Sequence, residues 1–348
     1  MVEGGIKRLI DMPIPTFIRE QPSVLDRCIA STRTFTATWS PGPFDSIALV
    51  GSGSSFNALQ VARPRFAAAR RGPVCVQEPE DFVAELGDAT ARPLVVVLSQ
   101  SGASMTSIAA AKAAVEAGFA TLAITATPDA PLARSGAQVL IMPVGDEPVG
   151  PKTKGFLGSM VMLFLLAEAL GAPASAAITG EMLARLIEPA REAAATLVPT
   201  LEAVDQIVVA GRRSHYGLAL EASLKISEMA GLPTAAFPTE ELLHGRLHGL
   251  TSRSLAFIIA EGDGEQAEAE RAATVMATHG CRLLVVDSAG SHWPKDLALP
   301  VAPWSALGLI LPFQWLAVLL AQARGLRPEA MRYGSLSAAL AIKTDNRP

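Results

Sequence analysis

Two short loops are dense in glycine and hydroxyl side chains: Gly51-Ser52-Gly53-Ser54-Ser55 and Ser99-Gln100-Ser101-Gly102-Ala103-Ser104. Each follows an apolar run and leads into helical sequence. Glycines let backbone N–H groups turn inward, hydroxyls add donors, and the helix start supplies partial positive charge. That combination suits a phosphate without any Lys or Arg. Serine ahead of a helix is also a favoured N-cap, and one such loop alone reads as capping. Two of them on consecutive functional edges favour a phosphate site at Ser54, Ser55, Ser99, Gln100, Ser101 and Ser104. A dinucleotide fingerprint does not fit, because Gly51-Ser52-Gly53 lacks the third spaced glycine and no acidic residue ends the second strand.

A second set of reactive side chains lies in the other half. Leu218–Gly231 (LALEASLKISEMAG) has the helical period and puts Glu221, Lys225 and Glu228 on one face. The plain reading of that face is a surface ion-pair ladder worth a few tenths of a kcal/mol, roughly 0.2–0.5 per pair. Downstream, His244 and His248 stand four apart around Gly245. The glutamate of a zinc-binding HExxH is missing and glycine disfavours a helix there, so no metal is expected. A histidine in a glycine-containing loop is better placed as an acid–base group. Lys152 and Lys154 precede a helix in Gly150-Pro151-Lys152-Thr153-Lys154-Gly155. They fit either ordinary surface lysines or groups that close over an anionic sugar.

The elements that must position these residues follow a strand–helix rhythm. Ser46–Val50 (SIALV), Val74–Gln77 (VCVQ), Leu94–Leu98 (LVVVL), Thr121–Thr125 (TLAIT) and Val139–Val144 read as strands. Helical sequence from Asn57, over Ser104–Ala117 and over Gly155–Leu170 lies between and after them. Continuous apolar strands alternating with helices predict a parallel sheet covered on both faces. After a long helix over Ile178–Val204 the rhythm repeats: Ile207–Ala210 runs into Gly211 as Ile47–Val50 runs into Gly51, and Leu255–Ala260 and Leu283–Val286 follow. The expected fold is therefore α/β, two doubly wound, flavodoxin-like halves related by duplication. Where the first half has Ser99-Gln100-Ser101-Gly102, the second has Glu261-Gly262-Asp263-Gly264. The halves share a fold but cannot share a ligand.

Composition narrows the class. The chain has 348 residues, half of them hydrophobic and 18% charged, which suits a globular protein of about two domains. A net charge of −4, spread along the chain, argues against nucleic acid or an anionic membrane as the main partner. The three cysteines (Cys28, Cys75, Cys281) are far apart and odd in number, so no disulfide framework is read and a cytoplasmic location is expected. Met1–Phe17 has no apolar core of a signal peptide. Ala306–Ala323 contains Pro312, Gln314 and Gln322 and reads as a buried helix entered at Pro312.

Taken together, these residues resemble the tandem sugar-isomerase (SIS) family. That family includes the isomerase half of glucosamine-6-phosphate synthase, stand-alone aminosugar-phosphate deaminases and fructosamine-phosphate deglycases. Glu20-Gln21-Pro22, Gly53-Ser54-Ser55 and Leu98-Ser99-Gln100-Ser101-Gly102 match its N-terminal and phosphate-loop signatures. Thr153-Lys154 with Phe156 fits its "TKAF" segment. Gly211-Arg212, Tyr216, Ala219-Leu220-Glu221, Leu224-Lys225, Glu228, Glu241-Leu242 and His244-Gly245 follow its second-half signatures. The likeness runs over nearly the whole chain and implies phosphate contacts from Ser55, Ser99, Gln100, Ser101 and Ser104, with Ser54 nearby. It implies Glu228 as the base moving a proton between C1 and C2 of an open-chain sugar, Lys225 beside it, and His244 as the ring-opening group reaching the partner subunit's site in a homodimer.

The departures shape the expectation. The family's glutaminase domain has no counterpart in the sequence, so glutamine-dependent amination is not expected of this chain alone. Arg246 replaces the proline after His-Gly, and Lys152 stands where a small residue is usual. Ala338 aligns with the synthase's Schiff-base lysine, and Lys343, five residues on, is a candidate substitute and sugar contact together with Lys152 and Lys154. The expected organisation is a helical segment over 1–44, a first SIS domain over 45–172, a linking helix over 173–204, a second domain over 205–327 and a tail over 328–348. The expected activity is isomerase or deaminase chemistry on an amino- or glycated-sugar 6-phosphate, with no cofactor. A plain aldose–ketose phosphosugar isomerase and a non-catalytic sugar-phosphate-binding regulator are the alternatives.

Overall fold

The computed structural model describes residues 13–88, 91–289, 292–294 and 302–344. Residues 1–12 of the expected N-terminal segment and 345–348 of the expected tail lie outside them. The chain forms two compact units. Of the described residues, one unit holds those within 23–147, 154–175 and 333–348; the other holds those within 1–22, 148–153 and 176–332. Helix α1 (Pro13–Thr36) contributes residues to both.

The first unit is built on a five-stranded sheet of β1 (Ser46–Val50), β2 (Val74–Gln77), β3 (Pro93–Leu98), β4 (Thr121–Thr125) and β5 (Gln138–Ile141). The strand order is β2-β1-β3-β4-β5 and every pairing is parallel. Its helices are α2 (Ser54–Ala68), α3 (Pro79–Glu85), α4 (Met105–Glu116) and α5 (Lys154–Ala169). Every residue of β3 and β4 is buried, as central strands covered on both faces require. At the edge, β2 is only partly covered and Cys75 is exposed, so the second apolar run is not a core strand. Strand β5 stops at Ile141, short of the expected Val144. Pro143 lies just beyond and has no N–H to give a ladder.

The second unit opens with α6 (Gly180–Leu197), which ends earlier than the apolar period suggests. Pro199 breaks it into a 3₁₀ turn over Val198–Leu201. The sheet that follows has β6 (Gln206–Gly211), β7 (Thr234–Pro238), β8 (Ser254–Ile259) and β9 (Arg282–Val286) in the order β7-β6-β8-β9, again all parallel. This is the first sheet's order without its last strand, the arrangement expected of duplicated doubly wound halves. Helices α7 (Ser214–Ala230), α8 (Thr239–Leu243) and α9 (Asp263–Thr278) connect the strands. The apolar run near the end forms α10 (Ser305–Leu309) and α11 (Leu311–Ala323), with Pro312 in the first turn of α11. This stretch is long and apolar enough to cross a bilayer, but 83% of its span is buried inside the protein. A short α12 (Leu336–Ala339) closes the described chain.

Candidate functional site

In an open parallel sheet, ligands bind beyond the carboxyl ends of the strands where the strand order reverses. In the first unit that point lies between β1 and β3, and the two serine loops leave those two strands. Gly53, at φ +57°, is the N-cap of α2 and gives it no side-chain cap, with Ser54 and Ser55 opening the helix half-buried. Gly51 sits so close to Leu59, Ser55 and the Leu98 carbonyl that a Cβ would crowd all three.

The β3 loop is tighter. Ser99 is buried at the strand end, Ser101 is exposed, and Gly102 turns at φ +60°. A Cβ on Gly102 would run into Ala130 and Thr125. Ser104 caps α4, its Oγ accepting from the Ser107 N–H at 3.4 Å and lying 3.1 Å from the Ser107 hydroxyl. The capping reading therefore holds for Ser104 and not for the loop before α2. Gln100 donates its side-chain Nε2–H to Glu147 at 3.0 Å.

The C-terminal tail of this unit returns to the same loop. Thr344 N–H donates to the Ala103 carbonyl at 3.0 Å and Met105 N–H donates to the Ile342 carbonyl at 3.3 Å. Lys343 is thereby bridged to Ser104 in antiparallel fashion, with its side chain exposed. Lys154 is only 3% exposed, and Lys152, which falls in the other unit, is half-buried. Lys154 is thus no surface lysine.

In the second unit Glu221, Lys225 and Glu228 share one face of α7, as their spacing predicts. The surface-ladder reading fails on burial: Glu221 and Lys225 are 0% exposed and Glu228 only 18%. Lys225 Nζ lies 3.5 Å from Glu221 and hydrogen bonds to Glu228. A buried ammonium demands such partners. The result is a carboxylate, Glu228, with its position fixed from beneath and some surface still open. His244 ends α8 on solvent, 73% exposed, with Nε2 2.8 Å from Glu240. The next residue, Gly245, has φ +140°, and Arg246 lies over the Phe237 ring at 5.1 Å. The structure brings Lys225 and Glu228 together and pairs His244 with Glu240 instead.

One carboxylate, Glu147, escaped the sequence reading, and another, Glu261, was read there only as the counterpart of Ser99. Glu147 is 6% exposed and takes up Gln100 together with the start of α5. An acidic residue a few positions before a helix was its only signal. Glu261, at the end of β8, meets His215 of α7 at 3.0 Å. Burial alone would raise its carboxyl pKa. The hydrogen bond and charge of His215, with the Ser305 and Ser288 hydroxyls, outweigh that and bring it down to about 2. Among the described residues no cluster of three or more His, Cys, Asp or Glu side chains is arranged to hold a metal ion.

The model of the SIS domain matches residues 44–169 and 200–298, more than half of the chain. Among curated proteins, the chain is 25% identical over 339 residues to glutamine–fructose-6-phosphate aminotransferase (isomerizing) of Lactococcus lactis, covering 89% of this chain and 55% of that protein. The chain thus spans about half the length of the curated relatives it matches. Its fold is similar to that of glucosamine-6-phosphate deaminase from Thermotoga maritima, with TM-score 0.75, 21% identity, and coverage of 92% of this chain and 97% of that one. It is also similar to tagatose-6-phosphate ketose/aldose isomerase from Escherichia coli, with TM-score 0.71, 19% identity, and coverage of 90% and 93%. With two parallel sheets of matching strand order and the family model spanning both, the chain belongs to the SIS domain family.

Proposed function

We propose that this protein is a phosphosugar isomerase/deaminase acting on an amino- or glycated-sugar 6-phosphate. The observation that carries the reading is the burial of Lys225 against Glu228 on α7, an arrangement that a solvated ion pair would not need. In the proposed chemistry the Ser54–Ser55 and Ser99–Ser104 loops take the phosphate through hydroxyl and backbone donors. Glu228 removes the proton from C2 of an open-chain 2-amino aldose, and the electron pair left behind forms the C1–C2 double bond of an enolamine as the C1 oxygen is protonated. Returning the proton to C1 gives the C2 imine. Water adds to that imine carbon and ammonia leaves, so the product is the ketose phosphate. A glycated amine sits on C1 of a 2-ketose, so there the proton moves from C1 to C2 and the imine forms at C1. Water then releases the amine with its substituent and leaves the aldose phosphate. Lys225, buried beneath it, orients the Glu228 carboxylate. No cofactor is required by this scheme.

The homodimer belongs to the same proposal. His244 is exposed on its own chain, which suits a ring-opening role in a partner subunit's site. The tail also leaves Tyr333, Leu336, Leu340 and Ile342 exposed, apolar area of a kind that a subunit contact covers. Lys343, bridged to Ser104 beside the phosphate loop, supports its assignment as a sugar contact, with Lys152 and Lys154 as further candidates. A cytoplasmic location accords with the free cysteines.

A plain ketose–aldose isomerase would use the same proton transfer and stop before loss of the amine, as the likeness to a tagatose-6-phosphate isomerase suggests. The deciding experiment is a screen of glucosamine, galactosamine and fructosamine 6-phosphates for ammonia release, isomer formation and solvent deuterium at C1 or C2. Deuterium uptake with ammonia supports the deaminase, and uptake alone the isomerase. Binding without either would overturn the catalytic reading in favour of a regulator.

A further inference from the structure

We propose that Glu147 and Gly155 form a clamp that fixes the side-chain amide of Gln100, which makes both of them positioning residues for the phosphate end of the substrate. The proposal rests on the reading of Ser99–Ser104 as a phosphate loop. Within one unit, Glu147 Oε1 accepts from the Lys154 N–H at 3.1 Å, and Oε2 accepts from the Gly155 N–H at 3.1 Å and from Gln100 Nε2 at 3.0 Å. An ionised carboxylate only accepts, so it can hold the NH₂ end of the Gln100 amide and never the carbonyl end. One amide hydrogen is committed to Glu147, and the second remains for an anion.

Gly155 forms the other wall. A Cβ at this position would fall onto Oε1, Cδ and Nε2 of Gln100 at once. Glycine is a poor helix former, yet here it opens α5, where its missing side chain leaves the space that the amide fills. Glu147 itself is stabilised by the two N–H groups of the α5 start, where the helix dipole favours negative charge. The loop's central residue is thus tied to the first turn of α5. A donor held in one orientation before the ligand arrives loses less entropy on binding than one that must be ordered.

The test is the Kd for inorganic phosphate, measured by titration calorimetry on the full chain. The proteins are wild type, Ser55→Ala/Ser101→Ala, Gln100→Ala, Glu147→Gln, Gly155→Ala and the Glu147→Gln/Gln100→Ala double variant. Glu147→Gln is expected to weaken phosphate by about 3- to 10-fold, the net worth of one hydrogen bond. In the Gln100→Ala background it should cost little more, because both act through the same amide. Gly155→Ala leaves the carboxylate in place and pushes the amide directly. It is expected to weaken phosphate to a similar degree, and it carries the test if Glu147→Gln does not fold. A merely structural Glu147 would lower thermal stability without this non-additivity. If Ser55→Ala/Ser101→Ala weakens phosphate while Glu147→Gln and Gly155→Ala bind like wild type, or add in full to Gln100→Ala, the clamp is overturned and the loop stands. If wild type does not bind phosphate, or the serine variant binds it equally well, the loop reading fails and the clamp with it.

Discussion

Nε2 of His215 and the carboxylate of Glu261 lie 3.0 Å apart at the carboxyl edge of the second sheet, with side chains 7% and 24% exposed. Glu261 follows β8 as Ser99 follows β3, and His215 opens α7 much as Ser55 opens α2. The duplicated half therefore carries its own carboxylate at the edge where the first half carries serines. There the carboxylate is held by His215 and already uses the local donors, which is consistent with the proposal that a phosphate goes to the first half.

Phosphate or sulfate soaked into crystals is expected against Ser55, Ser99, Ser101 and Ser104. Electron density for the anion at Glu261–Gly264 instead would overturn the serine-loop assignment.

The Glu261–His215 pair makes stability depend on acid. The carboxyl group sits at about 2 in the folded chain against an ordinary 4.5. On acidification the unfolded chain takes up this proton first. The contribution is therefore complete above 4.5 and is lost as pH falls from 4.5 toward 2. Glu261→Gln should lower Tm near neutrality, and the gap to wild type should narrow as the solution approaches roughly pH 3. A gap that stays constant with pH would mean that the charge of Glu261 is not what the fold uses.

Glu228→Gln keeps the side-chain shape and removes the base. Turnover is expected to fall by about 10²- to 10⁴-fold while phosphate affinity is retained. Deuterium exchange at C1 or C2 of the sugar reports the step without requiring the true amine product. Exchange at the wild-type rate would make Glu228 a structural residue.

If His244 serves a neighbouring subunit's site, inactive Glu228→Gln and His244→Ala chains should regain part of the wild-type activity once mixed and exchanged. Mixed dimers then contain one site with both groups intact. No recovery after verified subunit exchange argues against shared sites.

The thiols differ in reach. Burial pushes Cys28 up to about 12, with Arg27 only partly opposing it, and Cys281 is also buried. Cys75 lies exposed on edge strand β2, its thiol raised by partial burial and Glu85 although a backbone hydrogen bond opposes the shift. A thiol reagent at mildly alkaline pH should titrate one group in the folded chain and all 3 after denaturation. Rapid modification of Cys28 in the native protein would contradict its packing.

The architecture was written in local pattern. Apolar runs such as LVVVL and TLAIT can only be buried on both faces, and helical periods between them dictate parallel crossovers. Hence the two parallel α/β units and the position of the serine loops after β1 and β3 followed from the chain itself, whereas β7 (Thr234–Pro238) and the strand orders came from the tertiary structure. The face shared by Glu221, Lys225 and Glu228 followed too, because helix geometry fixes which residues align. Where strands and helices stopped was less legible: Pro143 and Pro199 end β5 and α6 inside runs whose apolar pattern continues.

What periodicity could not carry was burial and distant pairing. A helical wheel places Lys225 beside Glu228 but does not say whether water covers them; packing of the second unit excludes it and turns a surface-type pattern into a buried charge pair. Glu147 reaches Gln100 across 47 positions of sequence, and Glu261 reaches His215 across 46. Such contacts leave no repeat or motif, because hydrogen bonds between strand ends and helix starts depend on where the sheet delivers them. The sequence alone determined the two α/β halves, the hydroxyl-rich loops and the helix face shared by Glu221, Lys225 and Glu228. Only the tertiary structure decided which of those charges are desolvated, since desolvation is set by neighbours that folding brings together.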